Sequence, residues 1–114
     1  MKNDLEDRLF DFAIRCIKYI RNLPDTTEYK VIKYQLSKSC TSSGANYEEA
    51  QAGSSKADFN NKIRISLREM RESNYWLRII KGISVEVSEE LNWLIKESTE
   101  LKLILGSICQ KTRA

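Results

Sequence analysis

Apolar and polar positions along this chain recur at steps of three and four, the spacing of a longitudinal stripe on an α-helix, and four segments carry the pattern. The first spans Asp4 to Asn22. Leu5, Leu9, Phe12, Cys16, Tyr19 and Leu23 make one stripe, and Phe10, Ala13, Ile17 and Ile20 make a second beside it. This band is wider than one helix contact needs, so it predicts packing on two partners. The second segment follows Pro24, with Asp25 and Glu28 as its start signal, and runs to Ala52. Its predicted buried face includes Ile32, Leu36, Ser39, Cys40, Ser43 and Tyr47, with Gly44 nearer the surface. The run Ser39 to Asn46 is made of small residues that are indifferent to poor in helix interiors. A break there is the competing reading. The periodicity passes through the run, so a continuous helix that lets a neighbour approach closely is expected.

The third segment starts at Ser55, three residues before Asp58, and is expected to end at Lys81, before Gly82. The fourth is capped by Ser88, and its stripe is Leu91, Leu94, Ser98, Leu101, Leu105 and Ile108. The tail from Gln110 is expected to fray. Short connections make consecutive helices antiparallel. The predicted fold is all-α: a single antiparallel up-down-up-down four-helix bundle over residues 1–114.

The third helix carries three stripes where two suffice. Phe59, Ile63, Ser66, Met70, Ser73, Leu77 and Ile80 read as core. Arg64, Arg68, Arg71, Tyr75 and Arg78 repeat the spacing on the opposite face. Ile65, Glu69, Glu72, Trp76 and Ile79 repeat it again on a flank. The chain's net charge is only +3, yet Ser54–Lys81 holds seven basic residues against three acidic ones, +4, while the remainder carries −1. The basic stripe reads either as a solvated face or as a phosphate-contacting one. Arginine forks match phosphate oxygens, and a tyrosine among them can stack on a base. The flank reads as a subunit contact with Trp76 as its anchor, joined by Phe10 and Ile17 from the surplus apolar band of the first helix. Its glutamates could then pair with a neighbour's Arg68 or Arg71.

The chemistry that is missing narrows the classes. With no histidine, the triads and histidine metal sites are excluded, and no P-loop or G-x-G-x-x-G is present. Glu69 and Glu72 could share a cation, but salt bridging is the commoner use of such a pair. No catalytic residue, metal or cofactor is expected, and the chain reads as a non-enzyme. Cys16, Cys40 and Cys109 lie within apolar periodic segments without metal-ligand spacing, as reduced packing cysteines do. No apolar run suits a signal peptide or a membrane span, so a cytoplasmic protein is expected.

The stretches Gln35 to Gln51 (QLSKSCTSSGANYEEAQ), Ser55 to Phe59 (SKADF) and Leu67 to Leu77 (LREMRESNYWL) resemble the bacterial four-helix-bundle proteins named for intervening sequences in 23S rRNA genes. The portions Ser-x-x-Ala-Asn-Tyr-x-Glu-Ala and Glu-x-x-Tyr-Trp-Leu are the specific ones. Met70 stands where alanine is usual in that family, and Ser43 where isoleucine is usual. The resemblance implies a cytoplasmic bundle assembling as a homopentamer around a central channel. It also implies kinship with the accessory protein of diversity-generating retroelements, which binds reverse transcriptase and nucleic acid through a basic surface.

Two functions follow as expectations. One is a homo-oligomeric accessory protein that binds RNA or DNA backbones without sequence specificity. The other is a scaffold or adaptor for another protein. Five copies of one basic stripe would gain avidity of ~10²–10⁴ over one.

Overall fold

Four helices account for the apolar periodicity: α1 (Asp4–Ile20), α2 (Thr27–Gln51), α3 (Lys56–Ile83) and α4 (Glu89–Thr112). The structure is a computed structural model describing residues 4–53 and 55–112. The molecule measures 45 × 24 × 23 Å. Its long axis is set by α3, whose 28 residues rise ~42 Å at 1.5 Å each. Each helix packs on its two neighbours in the square, α1 on α2 and α4, and α3 on α2 and α4. The broad apolar band of α1 is thus used twice, as expected.

Cross-helix contacts fix the antiparallel sense. Leu9 of α1 lies against Gly44 of α2. Ser39 and Ser43 of α2 meet Ser73 and Ser66 of α3. Asn60 and Asn74 of α3 reach Thr112 and Ser98 of α4. Arg8 and Arg15 of α1 fork onto Glu97 and Glu90 of α4. In the α2–α3, α3–α4 and α1–α4 pairs one number rises as the other falls, which makes α1 and α2 antiparallel in turn.

The core is a single cluster that includes Phe12, Leu36, Ile63, Met70, Leu94 and Leu101, with Cys16 and Cys40 also buried. The thiol of Cys40 and burial push the Cys16 thiol upward, which keeps it protonated and unreactive.

The small-residue run lies inside one unbroken α2. Ser43 Oγ donates to the Ser66 carbonyl at 2.8 Å, and Ser66 Oγ returns a bond to the Ser43 carbonyl at 2.7 Å. Ser39 and Ser73 hydroxyls pair at 2.8 Å. All four serines are fully buried and satisfied, so the α2–α3 seam is held by short polar contacts that larger side chains would prise apart. Gly44 departs from the expectation that it lies near the surface. It is buried, and a Cβ built on it would stand 3.4 Å from Leu9 Cβ. The physical reason is that α2 is flanked on two sides: Ser43 serves α3 while Gly44 serves α1.

The element ends also differ in places. Thr26, not Asp25, caps α2, its hydroxyl accepting from Tyr29 N at 3.3 Å, while Asp25 pairs with Lys33 at 3.0 Å. Gly53 ends α2 with φ +70°, as expected of a left-handed stop. Gly82 does not end α3, because its backbone stays right-handed. The helix runs on to Ile83 and stops where Ser84 turns extended. Ser55 caps α3 and Ser88 caps α4, accepting from Asp58 N and Leu91 N. The segment Gln110–Thr112, expected to fray, is helical and tied down by Asn60 Nδ2 donating to the Thr112 carbonyl. The rest of the expected fraying tail, Arg113 and Ala114, lies outside the described residues.

Candidate nucleic-acid interface

Helical geometry puts the arginine row on the shoulder of α3. Advancing 100° per residue, Arg64, Arg68, Arg71, Tyr75 and Arg78 stand about 150° from the centre of the buried stripe, nearly opposite the core and turned toward α4. All five are exposed. Arg64 and Arg71 make no ion pair among the described residues. Arg68 lies 3.6 Å from Glu69 on its own helix, a loose contact with the arginine side chain 71% exposed. Arg78 Nε donates to Asn74 Oδ1 at 2.9 Å, and its guanidinium lies 5.9 Å from the Tyr75 ring centroid.

The arginines of α1 behave differently. Arg8 forks onto Glu97 at 3.0 and 2.6 Å and also reaches Glu100. Arg15 forks onto Glu90 at the same two distances and lies 3.4 Å over the Trp93 ring. Those cations hold α1 to α4. Hydrogen bonding to Arg15 holds the Glu90 carboxyl below its ordinary range. Among the described residues the α3 row meets no forked carboxylate, only the loose Arg68–Glu69 contact, so its field faces solvent.

Asn74 is buried, which the apolar periodicity does not predict. It is 1% exposed, and its amide is engaged through both its nitrogen and its oxygen. Nδ2 donates to Ser98 Oγ at 2.9 Å and Thr99 Oγ1 at 3.1 Å, and Oδ1 accepts from Arg78. The i, i+4 step from Asn74 to Arg78 is readable in sequence, but the partners on α4 depend on register. Asn60 Oδ1, at the other end of the row, is shielded from solvent with no hydrogen-bond partner among the described residues.

The flank Ile65, Glu69, Glu72, Trp76 and Ile79 occupies the other shoulder, on the α2 side. All five are half-buried, with Trp76 and Ile79 packed against the core. Trp76 Nε1 donates to Glu72 Oε2 at 3.3 Å, and its ring meets Tyr75 edge-on at 5.3 Å. Both glutamates are thus engaged within α3. On α1, Phe10 is 58% exposed and Ile17 half-buried. They line, with Ala13, Ile14 and Ala45, an apolar groove of about 470 Å³ between α1 and α2.

A family model described as the 23S rRNA-intervening sequence protein matches residues 1–107. The chain belongs to that family. It is also similar to a protein of unknown function from the S23 ribosomal protein family of Bacteroides thetaiotaomicron, seen in a crystal structure. The two are 33% identical with a TM-score of 0.82, over 92% of this chain and 97% of that one. No curated protein matches. No helix among the described residues of this family member is long and apolar enough to cross a membrane, and no cluster of three or more metal-ligating side chains occurs among them.

Proposed function

We propose that this protein is a small non-enzymatic accessory protein of the cytoplasm that self-associates, as a pentamer, and binds the phosphate backbone of RNA or DNA through the α3 arginine row. The observation that carries this reading is the contrast between two sets of arginines. Arg8 and Arg15 are neutralised by forked carboxylates, whereas Arg64 and Arg71 are exposed without an ion pair among the described residues. Free arginine forks in a row are what a polyphosphate chain requires. Self-association draws on the half-buried Ile65–Trp76–Ile79 shoulder and on the apolar groove around Phe10 and Ile17, apolar surface left over once the bundle is closed.

The test is a salt series of binding to structured RNA and duplex DNA. Wild-type affinity should fall linearly on a log–log plot. The double variant Arg64→Gln/Arg71→Gln should weaken binding equally for unrelated sequences and reduce the slope by about one unit for each phosphate no longer held. Lys96→Gln, an exposed cation on α4 away from the row, should change little. Absence of binding at low salt would overturn the reading and put a protein-adaptor role in its place.

A further inference from the structure

The arginine row has a second wall that its own helix does not supply. Arg64, Arg68 and Arg71 line a trough of about 370 Å³ with Cys109 and Thr112 of α4. Arg71 and Arg78 line its continuation of about 730 Å³ with Lys102, Leu103, Gly106 and Gln110 of α4. Leu67, Arg71 and Cys109 belong to both, so the two make one trough running from Asn60 to Arg78, ~27 Å along the helix. No aspartate or glutamate lines either part.

We infer that this trough seats a single-stranded nucleic acid, its phosphates on the α3 arginines and Lys102 and an unstacked base lowered against Leu67 and Leu103 beside Gly106. The inference rests on the phosphate-binding reading above and adds the strand state to it. Three observations carry it. The larger part of the trough has the volume of a small-molecule site, within the usual ~300–1,000 Å³. Its composition is mixed: Arg71, Arg78 and Lys102 as cations, Leu67, Leu103 and Cys109 as apolar surface, and Ser107 and Gln110 as hydrogen-bonding groups for base edges. Gly106 leaves a gap that packing does not require, since a Cβ there would meet nothing within 4 Å. Glycine in mid-helix is destabilising relative to alanine, and here the empty space opens into the trough. A duplex, with its bases stacked inside, can offer such a trough only its backbone. A single strand offers both phosphates and faces. Leu103, 66% exposed on a helix with an otherwise buried stripe, is then a platform for a base.

The experiment compares an oligouridylate with a blunt duplex of equal length by fluorescence anisotropy at one salt concentration. The wild-type protein should favour the single strand by about tenfold, the worth of a base face covering roughly 55 Å² of apolar side chain. Gly106→Leu fills the trough at an open helical position and should remove that preference, leaving duplex binding unchanged. Leu103→Gln, at a solvent-facing position, should weaken single-strand binding in the same direction. Lys102→Gln should weaken both ligands. If Gly106→Leu and Leu103→Gln bind the single strand as wild type does, or wild type does not distinguish the ligands, the trough assignment is overturned while the arginine row stands. If neither ligand binds at low salt, the arginine reading falls and this one with it.

Discussion

Arg78 and Asn74 are bound to each other by a 2.9 Å hydrogen bond, and the same Asn74 amide is anchored to Ser98 and Thr99 on α4. One buried side chain therefore clamps two helices and aims a surface cation. Asn74→Ala should remove both effects. It removes the donor that the Ser98 and Thr99 hydroxyls accept from, although both still donate to the Ile95 carbonyl, at a cost of ~0.5–1.5 kcal/mol for each bond lost, read as a lower urea midpoint. Arg78 would be freed at the same time, so its share of nucleic-acid affinity should fall in Asn74→Ala even where the bundle is fully folded.

Gly44 separates two kinds of substitution. Alanine places its Cβ 3.4 Å from Leu9 Cβ, a tight but ordinary contact, and gains helix propensity. Gly44→Ala should be neutral to slightly stabilising in thermal melts. Gly44→Leu must push α1 off α2 and should cost at least ~1–3 kcal/mol. Equal stability of the two variants would mean that α1 does not lie this close.

The paired serines make a reciprocal prediction. Ser43→Ile puts a branched apolar side chain at a site where both hydroxyl and carbonyl are engaged with Ser66. It should destabilise by ~1–3 kcal/mol through overpacking and broken hydrogen bonds. A higher melting temperature would reveal spare volume in the α2–α3 seam.

Acid should loosen the α1–α4 contact. Hydrogen bonding to Arg15 lowers the Glu90 pKa in the folded protein. A depressed carboxylate contributes stability that is fully present above its unfolded value of ~4.3 and is lost as pH falls through the folded value. Melting temperature should therefore hold near neutrality and drop below that range. Glu90→Gln should lower stability at neutral pH and flatten part of the acid drop.

Assembly is addressed by Trp76. The side chain packs against the core and is half-buried, so Trp76→Ala should cost some stability in the monomer. As an interface anchor it should also reduce the sedimentation-equilibrium mass, at a cost of ~2 kcal/mol or more at each subunit interface. A wild-type mass near 13.3 kDa at micromolar concentration would rule out self-association.

Periodicity alone determined the class of fold, the four helices, nearly every core position and the exposure of Arg64, Arg68, Arg71, Tyr75 and Arg78. These are properties of single helices, and a stripe is legible from spacing because the α-helix turns 100° per residue whatever surrounds it. The caps at Ser55 and Ser88 were legible for the same reason, being bonds between residues three apart. What needed the tertiary structure was everything that depends on register between helices. Gly44 is buried because Leu9 passes over it, and nothing within α2 states that. Asn74 is core because Ser98 and Thr99 arrive opposite it, though in sequence it breaks the apolar stripe. The second wall of the arginine trough, Lys102, Leu103 and Gly106, sits some thirty residues away and carries no motif of its own. Local spacing dictates which face a side chain occupies, and only packing decides what stands across from it.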